Sequence, residues 1–357
     1  MRVEYRYVRK FCIRKDVTKM DHGRHYFPEG YAPALDLRHT QQAIKTLKDC
    51  FQQQLGALLN LTRVSAPLFV TQSSGLNDDL SGVERKVCFE MKDLPDEELQ
   101  VVQSLAKWKR MALGRYRYPV GEGIYTDMNA IRRDEETDNL HSIYVDQWDW
   151  EKVISRDQRS LDYLKKTVNR IHSAVMEAEV VLHSRYPVLQ PRLPAEVYFV
   201  TSGELESRYP DLSPAQREEA ITKEHKAVFV MQIGGALKDG KPHGDRAPDY
   251  DDWSLNGDLL YFLPELNRAI EISSMGVRVD AASMYSQLMS AGAMERLSRP
   301  FHQMVYHDQL PLTIGGGIGQ SRLCMLLLRK AHIGEVQCSI WPEEARKLFE
   351  DRGVMLL

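Results

Sequence analysis

At 357 residues the chain exceeds one ordinary hydrophobic core, so one large domain with additions, or two closely packed ones, is expected. Hydrophobic residues at 43% and charged residues at 27% describe a soluble globular protein, and no apolar run approaches the ~20 residues that span a bilayer. A net charge of −3 provides no general polyanion-binding surface, which argues against nucleic acid as the main partner.

The first fifteen residues are basic (Arg2, Arg6, Arg9, Lys10, Arg14, Lys15) without the apolar core of a secretory signal, and read as a solvated arm. Over residues 40–59 the apolar positions recur at three and four, which predicts an amphipathic helix. Residues 64–70 follow as a short strand, confined by Pro67 to an edge or to its first pairing positions. Residues 75–82 form a turn carrying Asp78 and Asp79, and 86–91 a strand. From Val101 the chain passes from strand into a helix start holding Lys107, Lys109 and Arg110. Cations there oppose the helix dipole, so either something anionic is held nearby or the turn is solvated.

Residues 121–135 and 141–150 are two β-like stretches joined by a charged loop; Trp148 and Trp150 suggest only packing. A long amphipathic helix spans 160–185, strands 197–200 and 227–233, and a helix with Pro214 near its start 214–223. Asn256-Gly257-Asp258 reads as a turn entering a strand, and 269–280 as a further strand with Glu271, Ser273 and Arg278 near one functional edge. Two helices, 281–291 and 293–307, lead into a glycine-rich stretch. Five scattered cysteines (Cys12, Cys50, Cys88, Cys324, Cys338) lack metal-ligand spacing and read as reduced thiols of a cytosolic protein.

In that stretch Gly315, Gly316, Gly317 and Gly319 precede Gln320, Ser321, Arg322 and a continuous apolar run, 323–328. Glycines permit close backbone approach, and a helix starting there aims unpaired N–H groups outward. The run predicts a helix buried on every side, opened by a charged Arg322 that needs a counter-ion. An anion site is one interpretation; a glycine-rich turn with Arg322 in a structural ion pair is the other. A dinucleotide fingerprint fails, because Gln320 stands where its third glycine should be and no βαβ unit follows.

Gly317-x-Gly319-x-x-Arg322 before a helix resembles the third signature motif of the class II aminoacyl-tRNA synthetases. Arg132 with Asp134 at a strand end, and Gln147 with Asp149 on the returning strand, resemble the second. The 40–59 helix and the Pro67 strand resemble the first, which builds a dimer interface. Together with Gln103-Ser-Leu-Ala-Lys-Trp-Lys-Arg, Tyr144-Val-Asp-Gln-Trp-Asp-Trp, Arg246-Ala-Pro-Asp-Tyr-Asp-Asp-Trp and Glu271-Ile-Ser-Ser-Met-Gly-Val-Arg, the chain is similar to the aspartate–ammonia ligases. These are ammonia-dependent asparagine synthetases related to the aspartyl-tRNA synthetase core. His332-Ile-Gly-Glu is not the HIGH motif of the other synthetase class, since its last residue is wrong and it follows the motif-three helix.

The resemblance implies an α/β (α+β) fold with a mainly antiparallel sheet flanked by helices. It further implies an N-terminal extension over 1–39, a catalytic domain over 40–357, a homodimer and a cytoplasmic location. The implied reaction makes asparagine, AMP and pyrophosphate from L-aspartate, ATP and ammonia through a β-aspartyl-adenylate. Arg132 should hold the α-phosphate and the activated carboxylate, Arg322 the terminal phosphates or the adenine, with Asp134 and Glu271 in the nucleotide site. Asp258 and Glu271 are the expected Mg²⁺ carboxylates, as hard cations bridging phosphates take one or two carboxylates plus water; a turn-forming Asp258 is the plainer alternative.

Lys109 and Arg278 are the implied partners of the α-carboxylate, and Asp78, Asp149 and Gln147 of the α-ammonium. Asp251 either attracts and deprotonates ammonium or binds metal. Ser274 either hydrogen-bonds substrate or packs. One departure stands out. Between Ser254 and Leu255 the family pattern carries a further segment, so a loop closing over the site is read as shortened. The rival readings are a synthetase-like ligase acting on tRNA or another acceptor, which would want an appended basic domain, and a non-catalytic amino-acid or nucleotide binder, which would want lost motif residues.

Overall fold

A computed structural model describes residues 23–80 and 84–357. The basic arm expected over the first fifteen residues, Cys12 and the end of the turn after Gly75 lie outside the described residues. The first helix among the described residues is α1 (Leu37–Leu59), whose N-cap Asp36 accepts from His39 N and whose end is marked by Asn60 in the left-handed region. Its inner face is Ala43, Leu47, Phe51, Leu55 and Leu59, a four-residue spacing that keeps one stripe buried. The strand expected over 64–70 is two short ones, β1 (Leu61–Arg63) and β2 (Phe69–Thr71), because the Pro67 segment between them cannot continue a ladder. β3 (Cys88–Met91) and β4 (Leu94–Val101) join β2 in a three-stranded sheet of order β2-β4-β3.

Helix α2 (Ala106–Arg115) leads to β5 (Gly123–Ile131) and β6 (Tyr144–Val153), then to α3 (Leu161–Arg185), N-capped by Ser160. β7 (Tyr198–Thr201) is followed by α4 (Ser202–Arg208), a short helix that its Thr201–Glu204 capping box specifies and the periodicity does not. Then come α5 (Pro214–His225), β8 (Ala227–Met231), β9 (Asp251–Leu263), β10 (Arg268–Arg278) and α6 (Ala281–Ser290). The helix expected over 293–307 breaks before Pro300 into a 3₁₀ turn and α7 (Pro300–Tyr306). β11 (Thr313–Gly319), α8 (Gln320–Leu327) and α9 (Glu343–Glu350) finish the chain.

The main sheet has the order β1-β5-β6-β11-β10-β9-β8-β7. Only its outer pairs, β1 with β5 and β7 with β8, are parallel; every central pair is antiparallel. Trp148 and Trp150 are 0% exposed, on the core side of β6, with the Phe51 ring of α1 4.7 Å from that of Trp148. Leu323, Cys324, Met325 and Leu326 of α8 are all fully buried, as the apolar run predicts. Tyr26, Phe27 and Tyr31, within the expected extension, pack on this same core, and Tyr31 donates to the Glu335 carboxylate at 2.8 Å.

Two expectations need correction. The glycines 315–319 form strand β11 in mid-sheet rather than a loop. Asn256-Gly257-Asp258 is likewise no turn: it lies inside β9. Asn256 uses its amide to bond the backbone of Ile233 in both directions (2.9 and 2.8 Å), and a β-carbon at Gly257 would strike Phe229 and the carbonyl of Val230. The dipeptide that usually signals a turn here serves the close approach of β8.

Candidate active site

The site floor is the face shared by β6, β11, β10 and β9. In the register of β6 and β11, Gln147 lies opposite Gly319, Asp149 opposite Gly317 and Glu151 opposite Gly315. Residues two apart share a face, so these three polar side chains project together while Trp148 and Trp150 point into the core. A β-carbon on Gly315 would overlap the Glu151 carboxylate and stand 2.7 Å from Arg278 Nη2. One on Gly317 would overlap Gln147 and stand 2.9 Å from Asp149 Oδ1. The bare strand lets its neighbour's polar groups lie across it. On the other side of β11, Ser274 faces Gly317 and, across β10, Asp258 of β9. Irregularities in β10 after Glu271 and after Gly276 re-aim Glu271 and Arg278.

Loops and helices close a cleft of about 680 Å³ over this floor, a size that suits a small-molecule site. Asp78, Lys109, Arg132, Asp134, Gln147, Asp149, Asp251, Glu271, Ser274, Arg278 and Arg322 all line it. Asp258 stands just behind, held by Arg246 Nη2 at 2.6 Å, while Arg246 Nη1 donates to Ser274 Oγ.

At the deep end the charges are paired. Lys109 Nζ donates to Asp149 Oδ2 (2.9 Å) and to the Gly316 carbonyl (3.0 Å). Arg278 holds Glu151 through Nε and Nη2 (3.0 and 2.7 Å) and Asp251 through Nη1. Burial would raise Glu151, but Arg278 and Lys109 outweigh it and keep the carboxylate below its usual range. Beneath them Lys107 and His302 each meet Asp249 at 2.9 Å. The anions that the three cations of α2 implied are thus partly the protein's own: Lys107 and Lys109 face carboxylates, and Arg110 donates to the carbonyls of Pro311 and Val279. Among the acceptors left buried without a partner among the described residues are Asp78 Oδ2 and Asp149 Oδ1. Burial raises the pKa of Asp78, against the pull of Lys107.

The outer end is less balanced. Arg132 is half-buried, and its Nε has no partner among the described residues. Arg322, in the first turn of α8, donates to the Glu271 carbonyl (3.1 Å) and lies 3.6 Å from the carboxylate, which is 43% exposed. Burial pushes Asp258 up, Arg246 pulls it back and Glu271 raises it again, leaving it at about 6. Among the described residues no three acidic, histidine or cysteine side chains gather into an all-protein cation site. Asp258, whose charged form Glu271 makes more costly, and Glu271 fit a Mg²⁺ that takes its remaining ligands from phosphate and water.

A family model described as aspartate–ammonia ligase matches residues 38–353. An aspartate–ammonia ligase of Clostridium perfringens is 57% identical over 332 residues, covering 93% of this chain and 99% of its own length. The chain belongs to the aspartate–ammonia ligase family. The enzyme of that name from Levilactobacillus brevis is 56% identical over 330 residues, 92% of this chain and 98% of its own. Among solved structures, the asparaginyl-tRNA synthetase of Pyrococcus horikoshii complexed with asparaginyl-adenylate has a TM-score of 0.62 at 15% identity. It covers 88% of this chain and 75% of its own, a likeness of fold. The aspartyl-tRNA synthetase of Entamoeba histolytica has a TM-score of 0.55 at 14% identity, covering 84% and 57%. The class II synthetase fold and a C–N bond-forming ligase therefore hold for this chain.

Within this aspartate–ammonia ligase the residues singled out in the sequence converge on one cleft, except Asp258, which is not part of its lining, and two others carry a qualification. Asp134, though it lines the cleft, is engaged by Arg85, through the Arg85 side chain and backbone N (2.7 Å), and held at about 2 by those bonds. Asp251 is bound to Arg278, a pairing that spacing alone does not show. Glu151, Arg246 and the Lys107–Asp249–His302 cluster were missed. Glu151 had a readable signal: it continues the alternation Gln147, Asp149 along β6. Arg246 and Asp249 meet partners that no local pattern connects to them.

Proposed function

We propose that the cleft makes L-asparagine in two steps, with L-aspartate activated by ATP and then captured by ammonia. The observation that carries this is the division of the cleft. Its deep end has cations and spare carboxylate oxygens for a zwitterion, and its outer end has arginines for phosphate. Lys109 and Arg278 meet the α-carboxylate, while Asp78 Oδ2 and Asp149 Oδ1, with Gln147, take the α-ammonium. The main-chain end of aspartate then lies deep, and the β-carboxylate points toward Arg132.

A carboxylate is a poor acyl donor, so the β-carboxylate attacks the α-phosphorus, pyrophosphate departs and a mixed anhydride forms. Arg132 holds the α-phosphate beside the attacking oxygen and stabilises charge as it develops; Arg322 orders the terminal phosphates or the adenine. Mg²⁺ held by Asp258 and Glu271 would supply counter-charge to the phosphates when bound. Asp251 lines the cleft and is already paired with Arg278, so we assign it to ammonium capture and deprotonation rather than to metal. The amine then attacks the acyl carbon and AMP leaves.

We also place a homodimer contact on α1 and the Pro67 segment. Leu68, and Phe69, Phe89, Met91 and Leu94 of the adjoining small sheet, are exposed apolar side chains that a partner would cover. A monomer in sedimentation equilibrium at micromolar concentration would exclude that contact. The reaction is tested by measuring AMP on one preparation of wild type and Asp251→Asn. AMP release should require aspartate and ammonia together. The variant should keep aspartate-dependent pyrophosphate exchange and lose asparagine synthesis. AMP release independent of ammonia would sink the reaction, and equal loss in both assays the role of Asp251.

A further inference from the structure

Gln103 lies in the turn between β4 and α2 and has no part in the scheme above. Its side chain is 0% exposed, yet it forms part of the cleft wall. Both Oε1 and Nε2 lack a partner among the described residues. A buried amide with donor and acceptor both unpaired is costly, and such exceptions ask for an explanation. The backbone around it is fixed. Asn77 Oδ1 accepts from Gln103 N (2.8 Å) and from Asp78 N (2.9 Å), so one side chain ties Gln103 to Asp78. Asn77 Nδ2 in turn donates to the Val101 carbonyl at 3.1 Å, and Lys107 Nζ to the Asn77 carbonyl at 3.2 Å. The backbones of Gln103 and Asp78 are thus held by one side chain, and both residues, each with an unpaired polar group, line the same cleft.

We propose that Gln103 is a substrate-binding residue that spans the main-chain end of the amino acid, with Nε2 donating to the α-carboxylate and Oε1 accepting from the α-ammonium. This rests on the reading of the deep end as the aspartate site. The chemistry favours a carboxamide. It is neutral and presents a donor and an acceptor side by side, and an α-amino acid presents an acceptor and a donor on one carbon. A carboxylate in its place would serve only the ammonium, and an ammonium only the carboxylate. Gln103 thus reads the two groups as a unit, where Asp78 and Lys109 each read one.

Gln103→Leu keeps the size and removes both polar atoms. Because those atoms have no protein partner, the ligand-free variant should unfold at the same temperature as wild type or higher. Aspartate should bind about 10- to 100-fold more weakly by calorimetry, with ATP affinity unchanged. Succinate, which lacks the amino group, and β-alanine, which lacks the α-carboxylate, should each lose less to the same substitution. Gln103→Met, a second apolar replacement of similar length, gives the same readings if the leucine variant does not fold. Wild-type aspartate affinity in the folded variant, or equal losses for aspartate and both truncated ligands, overturns this inference alone. Absence of aspartate binding by the wild-type protein overturns the functional reading and this inference with it.

Discussion

The two ends of the cleft solve opposite electrostatic problems. At the deep end Lys109, Asp149, Glu151, Arg278 and Asp251 are buried in mutual ion pairs; at the outer end Arg132, Arg322 and Glu271 stay partly in water. The main-chain end of aspartate carries one charge of each sign, so the surface that reads it can be paired and dry. A nucleotide carries several negative charges, so the surface that receives it keeps cations with donors to spare. The deep end consequently couples recognition to stability, because its ion pairs are costly to break. The outer end should separate the two.

The largest effect is expected from Gly315→Ala. Its β-carbon would displace the Glu151 carboxylate from Arg278, and breaking a buried pair costs about 3–5 kcal/mol. Denaturant titration should show that loss together with loss of activity; a stable, active variant would break the proposed coupling. Arg132→Ala, at the other end, should lower turnover about 10²–10³-fold, as for loss of a charge-stabilising donor, while the denaturation midpoint stays put. Arg322→Ala should be milder, about 1.5–3 kcal/mol, seen mainly as a higher KM for ATP. If instead it unfolds at much lower temperature, its bond to the Glu271 carbonyl is structural and the outer end is not separable.

The smallest effect sharpens the contrast through pH. Asp258, at about 6, binds its proton more tightly folded than unfolded, where its pKa is near 3.8. Its contribution to stability is therefore fully present below the unfolded value and lost as pH rises through about 6. Wild type should lose about 1–3 kcal/mol relative to Asp258→Asn between pH 4 and 7. Unfolding both proteins across that range checks it, and a constant difference would remove Asp258 from the titrating set. Nucleotide–Mg²⁺ affinity should fall as pH drops below 6.

Much of this was legible before any coordinates. Helices α1 and α3 are legible by period and α5 by the proline at its start, and Arg132, Asp149, Arg278 and Arg322 by motif order. What escaped was relational. Asn256-Gly257 looks like a turn because its local chemistry is that of a turn, and only the proximity of Phe229 and Ile233 shows why a strand needs it. Arg246 and Asp258 are twelve residues apart, yet the loop between them conceals that they meet. Asp251 and Arg278 are joined only when β9 and β10 pair, and the irregularity after Gly276 offsets the count that would have aligned them. Where the resemblance implied a shortened loop after Ser254, β9 runs through that point without interruption.

Strand β11 carries a consequence for how the enzyme comes into being. Four of its seven residues are glycine, which lose more backbone freedom on ordering than any other residue and bring no side chain to hold them in place. Its position is imposed by two flanking strands drawn from remote parts of the chain, with Gly317 set between Asp149 and Ser274. Such a strand has no reason to order before its neighbours do, and contacts so far apart in sequence form late. The catalytic floor should thus be among the last surfaces to assemble. Once assembled it sits mid-sheet, so its amides can exchange with solvent only when the sheet opens as a whole. A ligand resting on that floor protects the entire domain.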